Sequence, residues 1–247
     1  MRHLVTFLSD FGLADAYVAQ VKAVILSAAE DTLIVDITHD VPSHEIISGA
    51  WLLYASYAFF NKGTVHLAIV DPGVGTERGI IAVKKAGHMF VGPDNGIFSF
   101  LYPADEIIEV AWRPDGPVSS TFHGRDIFAP VVVKILSDPS CTDLGAVLEN
   151  PVTIDVERPM VVHIDRFGNV VTNIEWSRIG QKGVVRCAET GIDHIARTYA
   201  EIPNSRLALV CGSANTIEIA ANRKSAAQIT GAYVGMPIDM DYLDAPA

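Results

Sequence analysis

The spacing of the first apolar runs constrains this chain most. Residues 4–8 form a short apolar run of strand length, and Tyr17, Val18, Val21, Val24, Ile25 and Ala28 then recur at helical spacing before a second apolar run at residues 33–37. Strand, helix, strand at this pitch is a βαβ unit, which predicts a parallel opening sheet. A helix is expected over 45–60 and a strand over 64–70, ending in Asp71-Pro72-Gly73-Val74-Gly75, where Pro and two Gly force a loop. Residues 80–83 and 89–91 read as further strands, followed by a sharp turn at Gly92-Pro93-Asp94-Asn95-Gly96. A helix over 127–136 closes this half.

Beyond residue 137 the pattern changes. A turn-rich stretch ends near Pro159 and reads as a domain boundary. Short apolar runs at 160–164, 170–174, 184–187, 207–211, 216–220 and 238–240 follow with no convincing amphipathic helix between them. That favours a small antiparallel β domain. The expected fold is therefore an α/β domain over 1–150, with a largely parallel sheet, and a smaller antiparallel β domain over 160–247.

Composition narrows the function classes. The 247 residues carry 29 acidic and 18 basic side chains, a formal charge of -11. Nucleic acids and anionic membranes need a cationic surface, so neither is an expected partner; a cationic or zwitterionic small molecule fits better. Cys141, Cys187 and Cys211 are widely spaced and without a C-x-x-C, which argues against disulfides and a zinc staple, and they read as reduced, buried packing residues. The first ten residues reach Asp10 before an apolar stretch of signal-peptide length develops, and no run approaches the roughly 18 apolar residues of a membrane span, so the expected location is cytoplasmic. A mean hydropathy of +0.29 points to a sheet buried on both faces or a large subunit interface.

Polar residues cluster where an open α/β sheet binds ligands, outside the carboxyl ends of strands: Ser9-Asp10 with Asp15, Asp36 with Asp40, and Asp71. Asp10 and Asp15 also suit helix N-capping, Asp71 a turn, Arg78 a solvated loop and His123 a satisfied loop histidine. His39, Asp40, His44 and Glu45 resemble a metal cluster, but their spacing does not suit one ion and they read as surface loop residues. The segment from Gly73 to Gly79 spaces its last glycine one residue too far for a dinucleotide fingerprint.

Six words occur together in order: Ser9-Asp10-Phe11-Gly12, Asp71-Pro72-Gly73-Val74-Gly75-Thr76-Glu77-Arg78, Gly92-Pro93-Asp94-Asn95-Gly96, Phe122-His123-Gly124-Arg125-Asp126, Phe167-Gly168-Asn169 and Asn222-Arg223. With them the chain resembles, over essentially its whole length, the S-adenosyl-L-methionine (SAM) hydroxide adenosyltransferases, relatives of the SAM-dependent fluorinase and chlorinase. The resemblance implies a C-terminal β-barrel-like domain that completes the nucleoside site. It implies a homotrimer whose sites lie between the N-terminal domain of one subunit and the C-terminal domain of the next. It also implies a hydrolase: water or hydroxide displaces methionine from C5′ of SAM, giving adenosine and L-methionine, with no metal or other cofactor. The matching catalytic positions are Asp71, Arg78 and His123. The halogenating relatives carry tyrosine in place of Asp71 and serine in place of Gly124, so a halide-dependent adenosyltransferase is the alternative enzyme and a non-catalytic adenosine or SAM sensor the alternative outside catalysis.

The chemistry is coherent. A sulfonium leaves as a neutral thioether without acid assistance, so the enzyme needs an oriented nucleophile. Asp71 and His123 are both of a type to take the proton, and Arg78 can hold Asp71 ionised. Among substrate contacts implied by the resemblance, Asp10 accepts the ribose hydroxyls, Asp15 and Asp165 lie near the methionine ammonium, and Phe122, Phe167 and Tyr199 wall the nucleoside pocket. Asn95, Asn169, Ser213 and Asn222 supply hydrogen bonds. His44, Val171 and Ala214 depart from the relatives, which carry there an aromatic over the ribose, a tryptophan and an arginine for the substrate carboxylate.

Overall fold

The computed structural model describes residues 3–179, 183–204 and 206–242. The chain divides into two compact units, Met1–Ile154 and Asp155–Ala247. In the first, β1 (His3–Ser9), α1 (Tyr17–Ala28), β2 (Thr32–Thr38), α2 (Ile46–Tyr57) and β3 (Val65–Ile69) alternate as the apolar periods predict. Then come β4 (Ile80–Lys85), β5 (His88–Pro93), β6 (Glu106–Val110), α3 (Ala129–Ser137) and β7 (Gly145–Val147). The seven-stranded sheet has the order β2-β1-β3-β5-β4-β6-β7. Strands β2, β1, β3, β5 and β6 point one way and β4 and β7 the other.

Side-chain alternation makes three layers. Val5 and Phe7 of β1, Leu67 and Ile69 of β3, and Val91 of β5 pack with Val18, Val21 and Ile25 of α1 and Val131, Val132 and Ile135 of α3. The neighbours of opposite parity, Leu8, Ala68 and Phe90, pack with Ala50 and Leu53 of α2. A period of two in the strands therefore feeds helices on both faces. Right-handed crossovers require this arrangement, because β1-α1-β2 steps to one side of β1 and β2-α2-β3 returns to the other.

Three elements of this unit are absent from the sequence reading, β6 (Glu106–Val110) among them. Strand β7 is exposed along its three residues and is held by pairing with β6 alone, so burial leaves no trace in its composition. The helix expected from 127 is preceded by a wider, π-helical turn over Gly124–Phe128. Such turns break the regular ladder and are frequent at functional sites.

The second unit holds β8 (Val161–Ile164), β9 (Val170–Glu175), β10 (Gly183–Cys187), β11 (Thr190–Ile192), β12 (Leu207–Cys211), β13 (Thr216–Ala221), α4 (Ala226–Thr230) and β14 (Ile238–Tyr242). Two antiparallel sheets, β12-β13-β9-β8 and β11-β10-β14, are tied at both ends. Val161 N donates to Met236 O at 2.9 Å and Gly235 N to Val161 O at 2.8 Å, joining β8 to the approach of β14. Ala196 N donates to Leu209 O at 3.0 Å and Leu209 N to His194 O at 2.8 Å, joining the segment after β11 to β12. The result is barrel-like closure around Val161, Val170, Ile174, Val185, Leu209, Ile217 and Ile219. Helix α4 is too short to show a period; Ser225 caps its start and Gly231 ends it in the left-handed conformation. Cys141 and Cys187 are buried, but Cys211 is exposed at the end of β12, a correction to the expectation of three packed thiols. Among the described residues no helix is long and apolar enough to cross a membrane.

Candidate active site

In the first unit the strand order reverses direction of growth between β1 and β3, which leaves a crevice at their carboxyl ends. Asp10 follows β1 and Asp71 lies just beyond β3, so the chain places one carboxylate on each side of that crevice. A cavity of about 270 Å³ lies there, lined by Asp10, Phe11, Tyr17, His44, Asp71, Phe122, His123 and Gly124 among others.

Asp71, Arg78 and His123 meet. Arg78 Nε donates to Asp71 Oδ1 at 3.0 Å and to Oδ2 at 3.1 Å, and Arg78 Nη2 donates to Asp71 Oδ2 as well. The fork-shaped guanidinium thus grips both carboxylate oxygens, and the pair is nearly dry, with side chains 10% and 5% exposed. Arg78 Nη2 also lies 3.0 Å from His123 Nδ1. A guanidinium has no lone pair to offer, so Nδ1 is the acceptor and a neutral His123 carries its proton on Nε2. Burial pushes His123 below the ordinary histidine value; the Arg78 charge adds to the shift and Asp71 opposes it. The Arg78 guanidinium further sits 5.2 Å over the Phe128 ring, at the π-helical turn.

Local sequence explains why these groups converge. Asp71-Pro72-Gly73 opens a turn in which Val74 N donates to Asp71 O, and Thr76 Oγ1 donates to Gly73 O at 2.7 Å. Gly75 has φ +79°, and a Cβ there would lie 2.2 Å from Ser120 O. Only glycine lets the Asp71 loop close against the strand of chain leading to His123. Arg125, bonded to Asp126 and Gln20, lies 5.1 Å over the Phe122 ring and braces that wall.

The aromatic wall is broader than Phe122. Phe11, Tyr17 and Phe122 form an edge-to-face trio with centroids 5.1 to 6.0 Å apart. Phe11 and Tyr17 were not among the sequence candidates; Tyr17 reads there only as the first apolar position of α1. A Cβ on Gly124 would lie 3.2 Å from Phe122 Cε2 and 3.3 Å from Phe11 Cζ, so any larger side chain there displaces these rings. Asp10 Oδ2 accepts from His44 N at 3.0 Å, and His44 adopts φ 69° to deliver that donor. Neither Asp10 nor Asp15 caps α1, whose first turn has no side-chain cap. Asp15 is exposed on the loop before α1 and is not among the residues lining the cavity. Asn95 is not brought there either: its Nδ2 donates to Val70 O at 2.8 Å and its Oδ1 accepts from Ile97 N at 3.2 Å, making it a strut behind the Asp71 loop.

In the second unit Asp165, Phe167, Asn169 and Tyr199 line a cavity of about 520 Å³ together with Arg223, Lys224 and Ser225. Asp165 organises the turn: its Oδ1 accepts from Phe167 N and Asn169 N, both at 2.8 Å, and its Oδ2 from Asn169 Nδ2 at 2.8 Å. Gly168 has φ +82°, and a Cβ there would meet Ser225 Oγ at 2.2 Å, so this turn also needs glycine. Phe167 is 79% exposed as a consequence, an apolar ring presented to solvent. Tyr199 OH donates to Glu218 Oε2 at 2.8 Å. Burial raises the Glu218 carboxyl, and burial followed by Glu218 pushes the Tyr199 phenol up to about 12. Glu218 went unnoticed in the sequence, although a lone acid in the apolar strand Thr216–Ala221 was a usable signal. Ser213 lies in an exposed turn and Asn222 spends Nδ2 on Ile202 O at 3.0 Å; neither lines the cavity.

His39 is only 4% exposed, which corrects its reading as a surface residue, and among the described residues no group of His, Cys, Asp and Glu is arranged to hold a metal. The model of the SAM hydroxide adenosyltransferase N-terminal domain matches residues 5–145, and that of the C-terminal domain matches 159–239. An (R)-S-adenosyl-L-methionine hydrolase from Thermus thermophilus is 34% identical, covering 95% of this chain and 98% of its own. One from Methanocaldococcus jannaschii is 33% identical, covering 98% and 94%. The crystal structure of an uncharacterized conserved protein from Thermotoga maritima superposes with a TM-score of 0.85 at 32% identity, covering 96% of this chain and 99% of that one. Matched in both of its domains and along nearly its whole length, the chain belongs to the SAM hydroxide adenosyltransferase family.

Proposed function

We propose that the chain is an enzyme that hydrolyses S-adenosyl-L-methionine to adenosine and L-methionine. The observation that carries this reading is Asp71, gripped through both oxygens by Arg78 beside a neutral His123, at the edge of an aromatic-lined cavity. Water oxygen attacks C5′, the C5′ to sulfur bond breaks, and its electron pair stays on sulfur as methionine departs. Asp71 takes the proton from the attacking water, because the unprotonated nitrogen of His123 already faces Arg78. His123 offers its Nε2 proton to the water oxygen and so fixes the remaining lone pair for attack. Arg78 keeps the carboxylate aimed.

The relatives are named for the (R) sulfonium epimer, and the same epimer is proposed here. Asp10 receives the ribose hydroxyls, with Phe122 beside the nucleoside. Asp165, Phe167, Asn169 and Tyr199, in the second unit, contribute from a neighbouring subunit of a homotrimer, a reading supported by the family resemblance and by a cavity in each unit that holds part of the expected set. A cytoplasmic location is part of the proposal and is supported by three unpaired cysteines. Purified protein incubated with (R)- and (S)-SAM, with and without chloride, tests the reading by chromatography of the products. Adenosine and methionine in equal amounts are expected, faster from the (R) epimer and independent of chloride. A chloride-dependent 5′-chloro product, or tight SAM binding without turnover, rejects it.

Acid should switch the site off. The folded chain favours neutral His123, so this group contributes stability above its ordinary value that is lost as pH falls through its lowered one. Protonated His123 cannot accept from Arg78. The expected pH profile of kcat/KM falls on its acid side with a midpoint below 6.5, and His123→Asn shifts that limb. A profile unchanged in the variant removes His123 from the ionisation.

A further inference from the structure

The mechanism above does not use a polar chain that starts from the buried pair Ser9 and His39. Ser9 Oγ is 2.7 Å from His39 Nδ1, and His39 Nε2 lies 3.1 Å from Asp36 Oδ1, an ion-pair distance without hydrogen-bond alignment. Asp36 Oδ2 in turn accepts from Lys22 Nζ at 2.6 Å. Ser9 is 0% and His39 4% exposed, so this Ser, His and Asp set cannot present a nucleophile to any substrate. Its contacts run instead into the loops that shape the site. Phe11 N donates to Ser9 Oγ at 3.4 Å, Gly12 N to His39 O at 2.8 Å, and Val41 N to Ser9 O at 3.4 Å. His44 N, five residues beyond His39, donates to Asp10 Oδ2 at 3.0 Å.

Two loops, one after β1 and one after β2, are therefore stitched together on both sides of Asp10. Asp36 only accepts, so the tautomer that suits the set carries the His39 proton on Nε2, on the side of Asp36, and leaves Nδ1 to accept from the Ser9 hydroxyl while Ser9 Oγ accepts from Phe11 N. The Phe7 ring packs against the imidazole edge to face at 4.6 Å, and the charges that face it are Asp36, Lys22 and Asp40. Burial favours the neutral imidazole that this pattern requires.

We propose that Ser9 and His39 are positioning residues for Asp10, holding its carboxylate where the ribose hydroxyls arrive and so setting affinity for the sugar. The proposal rests on Asp10 as the ribose acceptor. A contact made equally in ground and transition states affects KM and leaves kcat alone.

The test compares SAM with its 2′-deoxy analogue in the full-length chain. Ser9→Ala removes one oxygen from a packed position and is expected to raise KM for SAM about tenfold, the worth of one buried hydrogen bond, with kcat within about twofold. With the 2′-deoxy analogue, which keeps only the 3′-hydroxyl for Asp10, the same substitution should cost less, about threefold. His39→Asn, whose side-chain oxygen can take the Ser9 hydroxyl proton, should recover most of the KM lost in His39→Ala. An unchanged KM in Ser9→Ala, or equal losses with both substrates, overturns the proposal, since a general structural defect does not distinguish a missing 2′-hydroxyl. If the wild-type chain fails to turn over SAM, the functional reading fails separately. Calorimetry of adenosine against 2′-deoxyadenosine binding, in wild type and Ser9→Ala, then decides the positioning role by the same two outcomes.

Discussion

Asp71→Ala is expected to lower kcat for SAM hydrolysis by about three orders of magnitude while KM stays within about threefold. Asp71 has a single task in the proposed reaction, to accept the proton and aim the water, and both parts matter mainly in the transition state. Its oxygens are already oriented in the free protein by the Arg78 fork, so little reorganisation remains for substrate to drive. Asp71→Asn keeps the shape but not the charge and should fall nearly as far. Initial rates of adenosine formation, with SAM varied across KM, separate the two constants. Turnover near the wild-type rate in either variant removes Asp71 from the chemistry and with it the hydrolytic reading of this corner.

The largest loss of stability is expected from Arg78→Ala. The Asp71 and Arg78 side chains are 5% and 10% exposed, so deleting the guanidinium strands a carboxylate in a dry site. Breaking one side of a buried pair costs about 3 to 5 kcal/mol, which for a chain of this size is a fall of about 6 to 20 °C in Tm. Arg78 also donates to His123 Nδ1 and lies over Phe128, so the same change loosens the loop that carries His123. Arg78→Lys restores a charge but not the fork and should regain part of the Tm without regaining kcat. Combining Asp71→Asn with Arg78→Ala removes the stranded charge and should recover much of the stability while activity stays lost. Thermal unfolding of the four proteins reads this pattern. An Arg78→Ala variant that melts with the wild type contradicts the account of the pair.

Much of the fold was legible because burial imposes a period. The runs that became β1, α1, β2, α2, β3, β9, β12 and β13 are apolar stretches of strand length or recur at helical spacing, and all but the edge strand β2 bury apolar residues in a core. Where burial does not act, as along the exposed strand β7, the sequence is silent and ladder hydrogen bonds hold the element; α4 and the π-helical turn before α3 are buried but too short to display a period.

The candidate site divides the same way. Asp71, Arg78 and His123 were chosen from local words and the family resemblance, and the fold brings them within hydrogen-bonding distance. Asn95 and Asn222 belong to equally distinctive words, yet each spends its amide on nearby backbone, because turns demand the same polar residues that ligands do. Phe11 and Tyr17 become site candidates only through Phe122, far away in the chain.

Residue types and spacings by themselves determined that the chain opens with a βαβ unit, ends in antiparallel strands, carries an acid at the end of β1 and another after β3, and puts glycine where its loops need left-handed or crowded backbone. These are local consequences of period and sterics. Which nitrogen of His123 holds its proton, and that His39 is buried against Ser9 rather than solvated, depended on partners 45 and 30 residues away. Only the tertiary structure decides such matters, because a hydrogen bond is set by distance in space and a linear sequence records distance along the chain alone.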